Sequence, residues 1–203
     1  MEIKVFNNNS MATNTYIVSI GSEALIIDPV GNLETINYYI KNKELNVKYI
    51  LLTHGHGDHI GLVTELKELS NALVYIHNED EEMINNSSLN LSSHFGKAIS
   101  FKSDFHYKDG DELLLGTETI KIIHTPGHSK GSVCIQIQDC LFTGDTIFQG
   151  SVGRTDLYGG DYDKMLKSIE KISKLDSNLK IYPGHGPSSQ LSIEIRTNPY
   201  FNN

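Results

Sequence analysis

The sequence predicts an α+β fold in which two β-sheets pack face to face and helices cover their outer faces. Short apolar runs of strand length occur in both halves of the 203-residue chain, and segments with apolar residues at helical spacing lie between or after them. The second half repeats the arrangement of the first. Because a sheet must bury its apolar face against another layer, this repetition favours two packed sheets. At about 150 residues per domain, we expect residues 1–203 to form a single domain.

In the first half, apolar runs predict strands at residues 3–6, 15–20, 24–27, 47–52 and 72–76. Helical spacing of apolar residues predicts helices at 33–43 and around Leu62 and Leu66. The acidic stretch 79–82 indicates the start of a short helix. Residues 85–103 are rich in Asn and Ser and have weak periodicity, so we interpret them as a loop with at most one helical turn that could serve as a lid.

The second half has the same character. Strands are predicted at residues 112–115, 120–123, 133–137, 140–143 and 179–182. Between the last two, residues 162–175 carry Met165, Ile169 and Ile172 at helical spacing and predict a helix.

Composition excludes several classes of protein. The net charge is 17 − 25 = −8 and only two arginines are present, which argues against a nucleic-acid partner because such surfaces need clustered Lys and Arg. No apolar run reaches the ~18 residues of a membrane helix, and the start has no signal-peptide stretch. Two cysteines cannot form a disulfide framework. We therefore expect a soluble cytoplasmic protein with neither a membrane nor a nucleic-acid partner.

The nine histidines point to a metal site. His54, His56, Asp58 and His59 fall within six residues, between a predicted strand and a helix, and glycines separate them. Glycine permits tight turns that let side chains converge, and imidazole and carboxylate ligands suit zinc, iron or manganese. Four donors so close together favour two ions, with alternating residues directed at different ions.

Three further donors follow predicted strands and are flanked by Gly or Pro: His128, Asp145 and His185. Loops at strand ends are a common support for functional residues, so we expect all seven donors to meet. The remaining histidines are interpreted as surface or core residues, with His124 nearest to the cluster: His77, His94, His106 and His124.

Four segments carry a family resemblance: 53–61, 125–132, 141–148 and 182–187. They resemble the metallo-β-lactamase superfamily and, within it, short single-domain glyoxalase II-like hydrolases. The resemblance implies an αββα sandwich of two mixed sheets with helices outside, holding two divalent metals, zinc first and iron or manganese as alternatives. It assigns His54, His56 and His128 to one metal, Asp58, His59 and His185 to the other, and Asp145 as a bridge.

The same resemblance implies hydrolysis of a small-molecule acyl thioester, S-lactoylglutathione or a related acyl thiol, by attack of a metal-bound hydroxide that Asp58 orients. The chemistry of the leaving group also favours a thioester, because a thiolate whose parent thiol has a pKa near 8.5 departs without a general acid. No motif in the sequence places a further acid that could protonate a poorer leaving group. The chain ends 18 residues after His185, without the C-terminal helical domain of longer glyoxalase II enzymes. Glutathione and other thiols both stay open.

Three more residues are candidates near the metals. Asp28 ends a predicted strand and is interpreted as a turn residue or a support for the ligands. Arg154 is expected to brace a buried carboxylate, Asp156 or Asp28, because its planar fork suits such a partner; alternatively, it grips a substrate carboxylate.

Other activities use similar sites. A persulfide dioxygenase would hold one iron through His54, His128 and Asp145. A lactonase would use a tyrosine such as Tyr158 or Tyr162 beside the metals. A non-enzymatic metal-binding module is the remaining alternative.

Overall fold

The first sheet is mixed and begins with an antiparallel meander. The computed structural model describes residues 1–7 and 9–201. The strands of this sheet lie in chain order: β1 (Glu2–Phe6), β2 (Thr15–Ile20), β3 (Glu23–Ile27), β4 (Asn46–Leu51), β5 (Leu73–His77) and β6 (Phe105–Tyr107). β1, β2 and β3 pair antiparallel, whereas β3 to β6 pair parallel. The parallel strands therefore end at one edge of the sheet.

The second sheet is mostly antiparallel. Its region contains β7 (Glu112–Leu115), β8 (Glu118–His124), β9 (Val133–Ile137), β10 (Cys140–Gly144), the small hairpin β11 (Ile147–Phe148) and β12 (Ser151–Val152), then β13 (Lys180–Pro183) and β14 (Ser189–Gln190). The spatial order is β14-β13-β10-β9-β8-β7, and β10 and β13 are parallel. Each of these two strands leads directly into a loop that carries a candidate ligand.

Helices cover the outer faces. α1 (Leu33–Asn42) and α2 (Val63–Ser70) belong to the first sheet, followed by the short α3 (Glu81–Ile84). α4 (Tyr162–Ser173) and α5 (Leu191–Thr197) pack on the second sheet. The side chain of Asn32 accepts a hydrogen bond from Thr35 N and caps α1, and Asp161 caps α4 in the same way through Lys164 N. None of the helices within residues 1–7 and 9–201 is long and apolar enough to cross a membrane.

Three apolar layers follow from strand alternation. Neighbouring residues point to opposite faces of a strand, so Ile17 packs under α1 and α2 whereas Val18 packs between the sheets. In β9, Cys134 faces α4 and Ile135 faces the other sheet. Burying each such side chain contributes about 1.5–3 kcal/mol relative to exposure. The order helix, sheet, sheet, helix confirms the predicted αββα architecture.

Some elements escaped the sequence analysis. β6, β11, β12, β14 and α5 were not predicted, and all are short. The segment 85–103 contains one 3₁₀ turn, Ser92–Phe95, as its composition indicates.

Candidate metal centre

The candidate ligands lie where strands of both sheets end. The loop with His54, His56, Asp58 and His59 follows β4, and Asp145 follows β10. His185 follows β13, and His128 lies between β8 and β9. Because the parallel strands end at one edge, the loops meet there and seven donors from distant parts of the chain come together.

One group consists of His54, His56 and His128, whose ring nitrogens lie within 4.8 Å of one another. His128 Nδ1–H donates to the Arg154 carbonyl at 2.8 Å, so its Nε2 carries a lone pair. That Nε2 lies 2.9 Å from His56 Nδ1. Thr53 Oγ1 lies 3.0 Å from His54 Nδ1 and donates to Asp28, so it accepts the Nδ1 proton of His54. His54 Nε2 therefore also carries a lone pair, and this atom is buried without a hydrogen-bond partner among the described residues.

A second group consists of Asp58, His59 and His185, and a third set, Asp28 with His54 and His59, connects the two. His59 Nδ1 lies 2.9 Å from Asp28 Oδ2, to which it donates, so Nε2 is the ring nitrogen directed at the other donors. This Nε2 lies 3.3 Å from His185 Nε2, and His185 Nε2 lies 3.3 Å from Asp58 Oδ2. Three potential ligand atoms thus face a common point.

Asp145 lies between the two groups. Its Oδ1 is 3.4 Å from His59 Nε2, and its Oδ2 is 3.5 Å from His128 Nε2 and 3.6 Å from His185 Nε2. Oδ1 is buried and has no hydrogen-bond partner within the part of the chain that the structure describes. A buried carboxylate oxygen without a partner is costly unless a cation meets it. The donor set, all nitrogen and oxygen, fits two divalent cations with Asp145 shared between them.

The electrostatics favour the metal-binding protonation states of His54, His56, Asp58 and Asp145. Burial lowers the pKa of His54 well below its usual range and lowers that of His56 to about 3, so both rings are neutral. Burial alone would raise the pKa of Asp58, but the adjacent His59 and His185 lower it on balance. The same opposition acts on Asp145, where His59 outweighs burial and lowers the carboxyl pKa. Neutral imidazoles and ionised carboxylates are the forms that bind cations. Burial alone would lower the pKa of His59 and of His185, but the neighbouring carboxylates Asp145 and Asp58 raise both, so these two rings must lose a proton when a cation binds.

Two glycines let the backbone approach Asp145. A Cβ on Gly184 would collide with Asp145 Oδ1 and come within 2.7 Å of His59 Cε1. A Cβ on Gly153 would collide with the backbone carbonyl of Asp145. The Gly context seen in the sequence is therefore a steric requirement of the site.

Asp28 supports ligands of both groups. It is buried, and its backbone has a φ of +50°. Its Oδ1 accepts from Thr53 N at 2.8 Å, and its Oδ2 accepts from Thr53 Oγ1 at 2.6 Å and from His59. Both oxygens are thus occupied by groups that orient His54 and His59.

Of the two partners expected for Arg154, the structure shows Asp156, but the expectation that this pair is a buried brace is wrong. Arg154 forms a bidentate pair with Asp156 at 2.7 and 2.8 Å, but the two side chains are 61% and 69% exposed. Asp28 is not available to it, because Thr53 and His59 saturate that carboxylate. Only the backbone carbonyl of Arg154 reaches the site, where it orients His128.

The notion that alternating residues of the His54–His59 loop serve different ions is also wrong. The first two donors, His54 and His56, join one group, and the last two, Asp58 and His59, join the other. The remaining histidines lie outside both groups. His77 and His124 stack on each other with ring centroids 4.0 Å apart, and His106 pairs with Glu81 at 3.1 Å.

Two supporting residues were missed by the sequence analysis. Asn14 donates its Nδ2 to the carbonyls of Pro183 at 3.0 Å and Gly186 at 2.9 Å, on either side of His185. Asp80 is fully buried and binds both the His54–His59 loop and the His128 loop. In the sequence, Asp80 is only part of an acidic helix start, since no local pattern distinguishes it from its exposed neighbour Glu79.

A cavity of about 410 Å³ opens beside Asp58. Its walls include Met11, Asn32 and Lys97. A second cavity of about 380 Å³ shares Val30 and Asn32 with the first, so the two adjoin. Lys97 Nζ lies 2.7 Å from Glu65 Oε1 and is largely exposed.

The chain belongs to the metallo-beta-lactamase superfamily, whose family model matches residues 9–185. It is similar to the probable metallo-hydrolase YqgX of Bacillus subtilis, with 39% identity over 93% of this chain and 92% of the relative. It is also similar to hydroxyacylglutathione hydrolase GloC of Haemophilus influenzae, with 35% identity over 88% of this chain and 87% of that protein. The family prediction is confirmed, and these relatives support a metallo-hydrolase.

Solved structures agree with this assignment. The B3 metallo-beta-lactamase BLEG-1 superposes with a TM-score of 0.94 at 36% identity and covers all of both chains. TTHA1623, crystallised in a di-iron-bound form, superposes with a TM-score of 0.88 at 32% identity over 97% of this chain and 99% of that one.

Proposed function

We propose that the protein is a dinuclear metal-dependent hydrolase of acyl thioesters, with S-lactoylglutathione or a related acyl thiol as its small-molecule substrate. The observation that carries the proposal is the pair of three-donor groups with Asp145 between them, next to the cavity at Asp58. The likeness to a protein named hydroxyacylglutathione hydrolase supports the choice of substrate.

In this proposal, each of the two donor groups binds one metal ion. His54, His56 and His128 would hold one cation, Asp58, His59 and His185 the other, and Asp145 would contact both. Such cations supply Lewis acidity and bring the pKa of a coordinated water toward neutrality. Zinc is our first choice, and the di-iron form of TTHA1623 supports iron as the alternative.

The surroundings of Asp58 support a role for it on the reacting water. It is an ionised carboxylate, is only 16% exposed, and lines the cavity through which a substrate would approach. A carboxylate there accepts a hydrogen bond from water and orients its lone pair toward an acyl carbon. We therefore assign Asp58 a catalytic role in addition to metal binding.

The leaving group favours a thioester. Among the described residues, the imidazoles and carboxylates that meet at this site all belong to the donor groups or, like Asp28, brace them. None of them is free to protonate a departing amine or alkoxide. A thiolate, whose conjugate acid has a pKa near 8.5, departs without that help.

The cavities offer room for the thiol portion. The two adjoining cavities extend away from Asp58, and Lys97 contributes a cation to the nearer one. Glutathione carries carboxylates that an ammonium group at this position would attract.

Thiol release tests the proposal directly. Protein loaded with zinc to two ions per chain, checked by elemental analysis, should release free thiol from S-lactoylglutathione. Asp145→Asn should reduce kcat/KM by more than the ~10–100-fold that loss of an outer contact costs. Asp139→Asn is the matched control, because Asp139 is exposed and its carboxylate pairs with Lys180 and the neighbouring Cys140 rather than with any donor of the centre. Two-metal protein that releases no thiol from a panel of acyl thioesters refutes the proposal.

The similarity to BLEG-1 favours β-lactam hydrolysis as a second candidate. A cation held by the same donor groups would polarise a lactam carbonyl, but the departing nitrogen needs a proton. A chromogenic cephalosporin assayed with the same zinc-loaded protein separates the two: a kcat/KM above that for every thioester would favour the lactam. One iron per chain with oxygen uptake on glutathione persulfide would instead favour a dioxygenase.

A further inference from the structure

Asp80 joins two loops of the candidate metal centre without contacting a ligand side chain. It is fully buried at the end of the 3₁₀ turn Asn78–Asp80, directly after β5. Its Oδ2 accepts from Gly55 N at 3.0 Å and from Ser129 Oγ at 2.6 Å. Its Oδ1 accepts from Gly131 N at 2.7 Å. Three donors thus converge on one carboxylate.

The positions of these donors in the chain are informative. Gly55 lies between His54 and His56, and Ser129 directly follows His128. The two loops therefore meet at a single oxygen atom, Oδ2 of Asp80. Across that junction, His56 Nδ1 and His128 Nε2 are held 2.9 Å apart. A shift of either loop relative to Asp80 would change this separation.

The surroundings leave Asp80 little freedom. A Cβ on Gly131 would come within 2.8 Å of Asp80 Cγ, so the backbone closes tightly on the carboxylate. Ser129 Oγ also lies 2.7 Å from Ser132 Oγ, which fixes the hydroxyl that points at Asp80. Burial raises the pKa of Asp80, whereas the hydrogen bonds from Ser129, Gly131 and Gly55 oppose that change.

A carboxylate is the only ordinary side chain of this size that accepts at both ends. Asparagine would keep one acceptor oxygen and place an NH₂ group either against Gly131 N–H or against Gly55 N–H and Ser129. Two donors facing each other in a buried site leave one unsatisfied, so in either orientation at least one of the two loops loses a hydrogen bond to this side chain.

The other group of donors has different supports. Asp28 orients His59 through its Nδ1–H, and Asn14 fixes the loop on both sides of His185. None of the hydrogen bonds of Asp80 reaches the loop of His185 or Asp145. On the His54–His59 loop Asp80 bonds to Gly55, between His54 and His56, whereas His59 of the second group has its own support in Asp28, so we expect Asp80 to act more strongly on the first group.

We propose that Asp80 is a positioning residue that sets the metal affinity of the His54–His56–His128 group. It does so by fixing the His54–His59 loop and the His128 loop to one carboxylate. The inference rests on metal binding at the proposed centre and is independent of which substrate the protein hydrolyses. It is tested by metal affinity rather than by turnover, so failure of the thioester proposal would leave it standing.

The experiment isolates each half of the centre. His185→Ala disables the second group, and zinc affinity of the remaining first group is measured by competition with a chromophoric chelator. Adding Asp80→Asn to that background should weaken zinc binding by about 10–100-fold. In a His56→Ala background, where the second group remains, the same substitution should change affinity by less than about twofold. Glu79→Gln, one residue away on the surface, is the matched control and should leave both affinities unchanged.

Two results would overturn the inference. One is an unchanged affinity in the His185→Ala background, and the other is an equal loss in both backgrounds, which would mean that Asp80 stabilises the whole fold only. Circular dichroism and the melting temperature of the metal-free variants show whether Asp80→Asn folds. If it does not, Ser129→Ala decides the matter, because it removes one of the three hydrogen bonds: weaker first-group binding supports the inference and wild-type binding overturns it.

Discussion

Replacing Asp28 by asparagine tests whether one buried carboxylate fixes the tautomers of the metal-binding histidines. Asp28 accepts three hydrogen bonds, from Thr53 N, Thr53 Oγ1 and His59 Nδ1, at 2.8, 2.6 and 2.9 Å. If the amide oxygen of the introduced asparagine remained near His59, its NH₂ group would face the Thr53 N–H. If the amide were flipped, the NH₂ would face His59 Nδ1 and favour the tautomer with a proton on Nε2, which cannot bind metal.

Either orientation leaves one buried donor unsatisfied. Such a group costs about 1–3 kcal/mol, which corresponds to about 5- to 150-fold if the whole cost falls on metal binding. We therefore expect Asp28→Asn to weaken zinc binding within that range. Because Thr53 N also loses its acceptor in one orientation, the metal-free protein should unfold at a lower denaturant concentration.

The assay is a zinc competition titration, with kcat/KM for S-lactoylglutathione measured at limiting zinc. Asp139→Asn, at an exposed ion pair with Lys180, serves again as the control. If Asp28→Asn binds two zinc ions as tightly as the wild-type protein, the hydrogen bond to His59 does not select the tautomer and the reasoning fails.

Two further predictions concern the cavity and acid stability. Lys97→Ala should raise KM for S-lactoylglutathione and leave KM for an uncharged acyl thioester unchanged. Lys67→Ala, which removes an exposed lysine paired with Asp104, is the control and should change neither KM. Equal KM changes for both substrates in Lys97→Ala would contradict a charge contact. Burial and the stacked His124 lower the pKa of His77 to about 4. The unfolded chain, with a histidine pKa near 6.5, takes up this proton more readily, so the free energy of unfolding falls as the pH drops from about 6.5 to 4. His77→Gln should flatten that decline in metal-free protein followed by denaturant titration; an unchanged slope would show that His77 does not contribute.

The donors of the centre could be predicted because their signals are local. A histidine or aspartate flanked by glycine or proline after an apolar strand is visible in the sequence, as at His185 and Asp145. The strands were visible for the same reason, since alternation and apolar runs are short-range patterns. The partition of the donors between two metals came from the family resemblance and stays a prediction, although two of the three donor sets in the structure contain the same side chains.

The supports of the centre could not be predicted, because their function depends on contacts between distant residues. Asn14 bonds to carbonyls about 170 positions away, and Asp80 bonds to residues 25 to 51 positions away. In the sequence, Asp80 is one acid in an acidic stretch. Arg154 shows the opposite error: its planar fork suggested a buried brace, but a charged pair at the surface avoids the cost of desolvation.

The His54–His59 loop shows how such distant contacts control local chemistry. A turn closes between His56 and His59, where His59 N donates to the His56 carbonyl at 3.0 Å. Gly57, inside that turn, packs so tightly that a Cβ would lie 2.8 Å from Ser92 Cβ, and its N–H donates to the Asn90 carbonyl at 2.7 Å. The chain therefore reverses at Gly57, and donors before it face one group while donors after it face the other. Residues 85–103, which the sequence suggested as a lid, thus support this turn through the contacts of Asn90 and Ser92 with Gly57.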